Sequence, residues 1–281
     1  MTESTGHGLS PALRRYLIGD SSVIPRRGNR FVVGVLEGEG IGPDVVAVSL
    51  EVLSALQSVS DVRFDIRPSA TYDIDPVHGY EVPLKPEVRR LCEEAFADGG
   101  AVLAGPGGGR FVYDLRTELD LFCKLVPVRP FRELRDLGRL RPDAVDDVDV
   151  LLIRENVSVI YVGSYEEETR SSEGRCVDYT FSYSEREVTR ILEVGARMAS
   201  DRRGRLLVVA KEGAFPGISD LWRDCAHEVC NRFGLTPQVE HIDYASYCLV
   251  QHPRDLDVVV TSNLFGDVLA DVSAVLLGSR G

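Results

Sequence analysis

Asp257-Val258-Val259-Val260-Thr261-Ser262-Asn263-Leu264-Phe265-Gly266-Asp267-Val268-Leu269-Ala270-Asp271 is the stretch on which the fold turns. Asp257 to Val260 is a short β-branched run, the signature of a strand buried on both faces. Leu264 to Leu277 carries apolar residues at helical spacing. A buried strand running directly into a helix is half of a βαβ unit, and the same alternation repeats upstream. Leu206–Ala210 reads as a strand, Ile218–Phe233 as a helix, Gln238–His241 as a strand and Tyr244–Val250 as a helix. Ser184 with Glu187 three residues later forms a capping box that opens a helix through Met198. Val148–Ile153 reads as a strand, and Ile160–Gly163 and Cys176–Tyr183 as extended segments around the acidic loop Tyr165–Glu173. In the first third, strands are expected at Phe31–Leu36, Val62–Ile66 and Ala101–Ala104. Helices are expected at Pro43–Leu56, Pro86–Phe96 and Asp114–Phe122. Such alternation implies an α/β protein with a mostly parallel sheet.

The 281 residues suffice for two domains or one large α/β unit. Asp plus Glu number 44 against 32 Lys plus Arg, a net charge of −12. So acidic a chain is poorly suited to nucleic acid or an anionic membrane surface. No apolar run reaches the length of a membrane span, and Met1–Arg30 lacks the apolar core of a secretory signal. The six cysteines form no CxxC pair, which suits reduced thiols in the cytoplasm.

Several residue sets carry chemistry. Asp267 and Asp271 stand four apart on the last helix and project from one face. Two such carboxylates repel unless a cation neutralises them, and their hard oxygens suit Mg²⁺ or Mn²⁺; a solvated acidic face is the plain alternative. Asp243 follows a strand and is open to two roles, third ligand or helix N-cap. Lys211 ends the strand Leu206–Ala210, at the strand edge where α/β proteins bind ligands. It is either a base or a surface lysine. Tyr161 is a proton donor or a packing residue, and Arg116 and Arg154 each present a fork that matches a carboxylate. Gly38-Glu39-Gly40-Ile41-Gly42-Pro43 opens a helix after a strand, but its last spacing departs from the dinucleotide-binding fingerprint.

Together these blocks resemble the β-decarboxylating dehydrogenases of the isocitrate/isopropylmalate dehydrogenase family. The resemblance is carried by Leu36–Val45, by Leu115-Arg116-Thr117-Glu118-Leu119-Asp120-Leu121-Phe122, and by Arg154-Glu155-Asn156 with Tyr161-Val162-Gly163. Lys211, Ile242-Asp243-Tyr244-Ala245 and the opening block complete it. It implies an isopropylmalate-dehydrogenase-like fold: a large domain with a mostly parallel sheet and a smaller α/β dimerisation domain. It also implies oxidation of a 2-hydroxy acid bearing a β-carboxylate, with hydride passing to NAD or NADP and loss of CO₂. By this resemblance Asp243, Asp267 and Asp271 hold the metal, with Asp243 and Lys211 reaching across a homodimer. Lys211 assists removal of the hydroxyl proton and Tyr161 protonates the product. Arg116 and Arg154 hold carboxylates, Arg110 and Tyr113 stand at specificity positions, and Gly40, Ile41 and Gly42 meet the cofactor.

The chain departs from the family pattern at Val126, where a second arginine is usual, at Val157, and at Glu212-Gly213-Ala214, where an asparagine is absent. A substrate with fewer or differently placed carboxylates is therefore expected. The alternative is a catalytically impaired fragment, pseudoenzyme or non-catalytic subunit. The resemblance divides the chain into a flexible leader (1–30), the first half of the large domain (31–121), the small catalytic and dimerisation domain (122–277) and the start of a return segment (278–281). On that division the 31–122 portion is expected to expose apolar surface, free cofactor to bind weakly, and a complementing C-terminal polypeptide to be a candidate partner.

Overall fold

The computed structural model describes residues 28–68, 83–158, 164–165, 169–171, 174–177 and 179–279. These fall into two compact units that divide between Asp120 and Leu121.

The smaller unit is a βα alternation: β1 (Arg30–Leu36), α1 (Gly42–Ser58), β2 (Arg63–Pro68), α2 (Pro86–Ala97), β3 (Ala101–Ala104) and α3 (Gly109–Glu118). Its three strands lie in the order β2-β1-β3, all parallel. Leu36, Val88, Cys92 and Phe111 form its core. The last helix begins five residues before the expected Asp114 and ends at Glu118, not Phe122. Asp120 takes a left-handed backbone (φ 48°), which stops the helix. Asp114 accepts the Leu84 N–H at 3.1 Å.

The larger unit begins with β4 (Cys123–Val128), a turn of helix α4 (Pro142–Val145) and β5 (Val150–Glu155). Two short antiparallel pairs follow, β6 (Ser164–Tyr165) with β9 (Tyr179–Thr180), and β7 (Thr169–Ser171) with β8 (Gly174–Cys176). Then come α5 (Glu185–Ser200), β10 (Leu206–Ala210), α6 (Pro216–Arg232), β11 (Pro237–His241), α7 (Ile242–Gln251), β12 (Val258–Thr261) and α8 (Asn263–Leu277). The sheet runs β11-β10-β12-β5-β4, parallel except for β4. That antiparallel edge strand was not anticipated, because Lys124 and Pro127 interrupt its apolar pattern; proline is tolerated at a sheet edge. Strands β5, β10 and β12 are buried along their whole lengths.

Side-chain alternation on β12 sorts the helices. Val259 packs with Ala245 and Leu249 of α7 and Leu269 and Leu276 of α8. Val260, on the other face, lies against Gly195 of α5, where an added Cβ would come within 2.3 Å of it. The N-terminal edge of the sheet is pinned by Asp257. Its buried carboxylate accepts from Arg202 Nε at 2.7 Å and from the Arg203 N–H at 2.9 Å. The strand accordingly starts one residue after Asp257.

Candidate functional site

The opposite, C-terminal edge of the larger sheet gathers Arg154, Lys211, Asp243 and Asp267 of the expected site residues. Arg154 is the penultimate residue of β5 and is buried. Its Nε and one terminal nitrogen both donate to Asn263 Oδ1, at 3.0 and 2.6 Å, and its other terminal nitrogen pairs with Asp267. The stem of Arg154 lies on Gly266, where a Cβ would come within 2.6 Å of the arginine Cγ. Asn263 in turn donates through Nδ2 to the Ser158 carbonyl at 2.9 Å and through its backbone N–H to the Tyr183 hydroxyl at 3.2 Å. Burial pushes that phenol up to about 12. Asn263 is the hub of the constellation, and sequence reasoning passed over it: its partners lie 80 to 109 residues away.

Glu155, beside Arg154, is buried. It accepts from the backbone N–H groups of Val157 at 3.0 Å and Ser158 at 2.9 Å, which sets the turn that presents the Ser158 carbonyl to Asn263. Burial raises its carboxyl pKa, against the pull of those two N–H groups. The same burial, with Glu155 nearby, pushes the Cys123 thiol up to about 12.

At the end of β10, Lys211 pairs with Asp243. The ammonium beside it lowers the Asp243 carboxyl pKa. The N-cap of α7 is His241, so Asp243 lies inside the first turn and is not the cap. There its charge favours the helix N-terminus. Asp267 and Asp271 stand one turn apart on α8, both exposed. Among the described residues no group of three or more His, Cys, Asp or Glu side chains is placed to hold a metal. The three aspartates therefore do not converge within one chain: Asp243 goes with Lys211, and Asp267 with Arg154. The donor chemistry of the Asp267–Asp271 pair nonetheless suits a hard divalent cation. Val126, where the family pattern carries an arginine, packs against the apolar core beneath α7 and α8. Tyr161 lies outside the described residues.

The smaller unit carries the remaining expected residues on two segments. On α3, Arg110 lies 3.4 Å from Asp114, and the Arg116 guanidinium stands over the Tyr113 ring at 5.9 Å. The glycine loop between β1 and α1 is built for close approach to a neighbouring loop. The Glu39 N–H donates to the Pro106 carbonyl at 2.7 Å, and the Gly42 N–H to the Glu39 carbonyl at 2.8 Å. A Cβ on Gly42 would meet the Glu37 carbonyl at 2.2 Å. Two of the loop's N–H groups are thus already bonded within the protein. Gly40 has open space around it and Ile41 is exposed, so these two positions remain available to a ligand.

Fold and site define an α/β protein with acids and bases gathered at the C-terminal edge of a mostly parallel sheet. The family described as isocitrate/isopropylmalate dehydrogenase matches residues 32–281. The 3-isopropylmalate dehydrogenase of Carboxydothermus hydrogenoformans is 32% identical over 265 residues, covering 89% of this chain and 70% of that protein. The 3-isopropylmalate dehydrogenase of Streptococcus pneumoniae is 35% identical over 260 residues, covering 88% and 72%. The crystal structure of isocitrate dehydrogenase from Methylococcus capsulatus superposes with a TM-score of 0.71 at 22% identity, covering 89% of this chain and 71% of that one. The chain belongs to the isocitrate/isopropylmalate dehydrogenase family. No helix among the described residues is long and apolar enough to cross a membrane.

Proposed function

We propose that this protein carries out metal-dependent oxidative decarboxylation of a 2-hydroxy acid bearing a β-carboxylate, with hydride transfer to NAD or NADP. The observation that carries the reading is the pairing of Lys211 with Asp243 and of Arg154 with Asp267 along one strand edge of the larger unit. Asp267 and Asp271 would hold Mg²⁺ or Mn²⁺, with Asp243 contributed by a second copy. The ion would supply Lewis-acid polarisation of the substrate oxygens. Arg154, fixed by Asn263, orients the Asp267 carboxylate. Lys211, held by Asp243, takes or relays the hydroxyl proton, and Tyr161 returns one to the product. Arg116, Arg110 and Tyr113 recognise the substrate carboxylate and its substituent. Gly40, Ile41 and Gly42 are the loop positions assigned to the nicotinamide cofactor.

A homodimer and a cytoplasmic location belong to the same reading. Tyr244 and Tyr247 on α7 and Val268 on α8 are half-exposed apolar side chains beside the site, suited to burial against a second copy. All six cysteines are free thiols, as a reducing compartment requires. A monomer by light scattering at micromolar concentration overturns the dimer.

The test is turnover by the purified chain with Mn²⁺, each cofactor and a panel of such hydroxy acids, followed by cofactor reduction and CO₂ release. Lys211→Met should lower kcat by about 10²–10⁴. No turnover in any combination overturns the proposal. It would favour a non-catalytic subunit, or one completed by a separate C-terminal polypeptide. That second reading is supported by Val126 packing into the core and by the half-exposed apolar residues of α1.

A further inference from the structure

Arg129-Pro130-Phe131-Arg132-Glu133-Leu134-Arg135-Asp136-Leu137-Gly138-Arg139-Leu140-Arg141 joins β4 to α4 and carries none of the site residues described above. Its charge runs against the rest of the chain. Five arginines stand here against two acids, in a protein whose net charge is −12. Arg129, Arg132, Arg139 and Arg141 are exposed and form no ion pair among the described residues. Arg135 is paired, with Asp146 at 2.9 Å.

Arg132–Leu137 form a 3₁₀ helix with Phe131 at its N-cap. At three residues per turn, side chains three apart eclipse one another. Phe131, Leu134 and Leu137 therefore stand in one line, a ridge about 12 Å long at roughly 2 Å of rise per residue. They are 65%, 48% and 77% exposed. Val275 of α8 lines the same shallow depression as Phe131 and Leu134, and is itself 45% exposed. The segment is held in place. Pro130 and Pro142 bracket it, Leu140 packs against the buried core, and the Gly138 backbone lies against Gly278 at the end of α8. A fixed apolar ridge rimmed by charge is the mark of an interaction surface.

We propose that this ridge docks an acidic amphipathic helix of a partner protein. The helix lays its apolar face on Phe131, Leu134, Leu137 and Val275 and sets its carboxylates on the flanking arginines. Charge complementarity selects that partner. The cations of the stretch are all guanidinium groups, whose planar forks match carboxylates in pairs. Nucleic acid is a poorer fit, because single strands bind on rows of aromatic rings and Phe131 is the one aromatic residue of the stretch. A lipid sheet or a long polyanion would also reach past the ridge, onto the exposed Asp143 and Asp147 and the rest of an acidic surface. A short helix stays within reach of the four arginines, since charges act over about 8 Å at physiological salt. The surface is separate from the Tyr244, Tyr247 and Val268 face assigned to a second copy. It stands whether or not the dehydrogenase reaction is confirmed.

The probe is a fluorescein-labelled helical peptide with leucines along one face and glutamates on the other, followed by fluorescence anisotropy against the full chain. Binding should saturate and weaken several-fold as salt rises from about 50 to 200 mM. Arg132→Glu with Arg139→Glu should weaken it by about tenfold or more, since each charge-assisted pair is lost. Phe131→Ser with Leu137→Ser should do the same; these are the two most exposed ridge residues, so the chain keeps its native circular dichroism. A peptide of the same composition, scrambled to remove the leucine face, should bind about tenfold more weakly or not at all. Binding that never saturates, or that either double variant or the scrambled peptide leaves unchanged, overturns the proposal. So does tighter binding of phosphatidylserine vesicles or of oligouridylate than of the peptide, which would make the ridge a lipid or RNA surface. Self-association of the native chain in sedimentation that the arginine variant abolishes would give the ridge to a second copy instead.

Discussion

The two units solve the same problem, covering a parallel sheet, with different completeness. In the larger one, β5, β10 and β12 are buried from end to end, with α7 and α8 against one face and α5 against the other. In the smaller one, β1 is buried only over its last three residues, and β2 and β3 have no buried residue. The helix α1 shows the same contrast. It buries Gly42 and Val46, while Val45, Val48, Val52 and Leu56 are each more than 40% exposed. Parallel sheets are stable when both faces are covered. The larger unit meets that condition with its described residues, and the smaller one meets it only in part. The site chemistry follows the packing: the paired charges of Lys211, Asp243, Arg154 and Asp267 all stand on the well-covered sheet.

The sharpest way to break that comparison is to hollow each sheet. Ile153, on β5 of the larger sheet, is fully buried. Ile153→Ala should cost about 2–5 kcal/mol in urea unfolding. Val33→Ala in β1, at a half-buried position, should cost about 1 kcal/mol. Equal losses would mean the smaller sheet is as well covered as the larger. Next in size is Gly266→Ala. The new methyl collides with the Arg154 stem, and overpacking of this kind costs about 1–3 kcal/mol. It also displaces the guanidinium from Asp267 and Asn263. Unchanged stability and unchanged activity would show that Arg154 does not depend on that close contact.

The fold was largely legible because its signals are local. The βα alternation, the β10 boundaries and the Ser184–Glu187 capping box each lie within a few residues of sequence, and the box forms as expected, with both reciprocal bonds made. The site was legible by residue type but not by partner. Lys211 at a strand end was evident; its pairing with Asp243 depends on β10 and β11 lying side by side. Arg154 reads from sequence as a clamp for a ligand, whereas here its fork is taken up by Asn263 and Asp267. Nothing short of the β5–β12 register brings those residues together. Asp257 read as the first residue of a strand, because its role depends on Arg202 and Arg203 arriving from the end of another helix. The glycines of the β1–α1 loop were legible by type, but tight loop packing and phosphate binding both call for glycine, so the residue type alone does not separate the two.

Smaller effects probe local terms that should be alike in any well-formed helix. Ser184→Ala removes the hydroxyl that accepts the Glu187 N–H, and should cost about 1 kcal/mol. Burial raises the Glu187 pKa, but the Ser184 hydroxyl and N–H outweigh it and hold the carboxyl below its ordinary value. A depressed folded-state pKa stabilises above the unfolded value, near 4.5. The stability gap between the native chain and Glu187→Gln should therefore be full at neutral pH and close as pH falls through the folded-state pKa. A gap that widens on acidification would contradict this.

The smallest expected effect tests the weaker side of the comparison most directly. Val52 is 62% exposed on α1, so Val52→Lys should change stability by no more than about 0.5 kcal/mol. It also places a charge in the middle of the exposed apolar row, which should reduce binding of a hydrophobic dye to the chain. Lysine is as good a helix former as most and better than valine, so propensity gives no reason for a loss. A loss above 2 kcal/mol would mean that the α1 face is covered in solution, by a second copy or by another segment. Repeating the measurement at several protein concentrations separates those cases: a cost that grows with concentration marks a second copy, and a constant cost marks the chain itself.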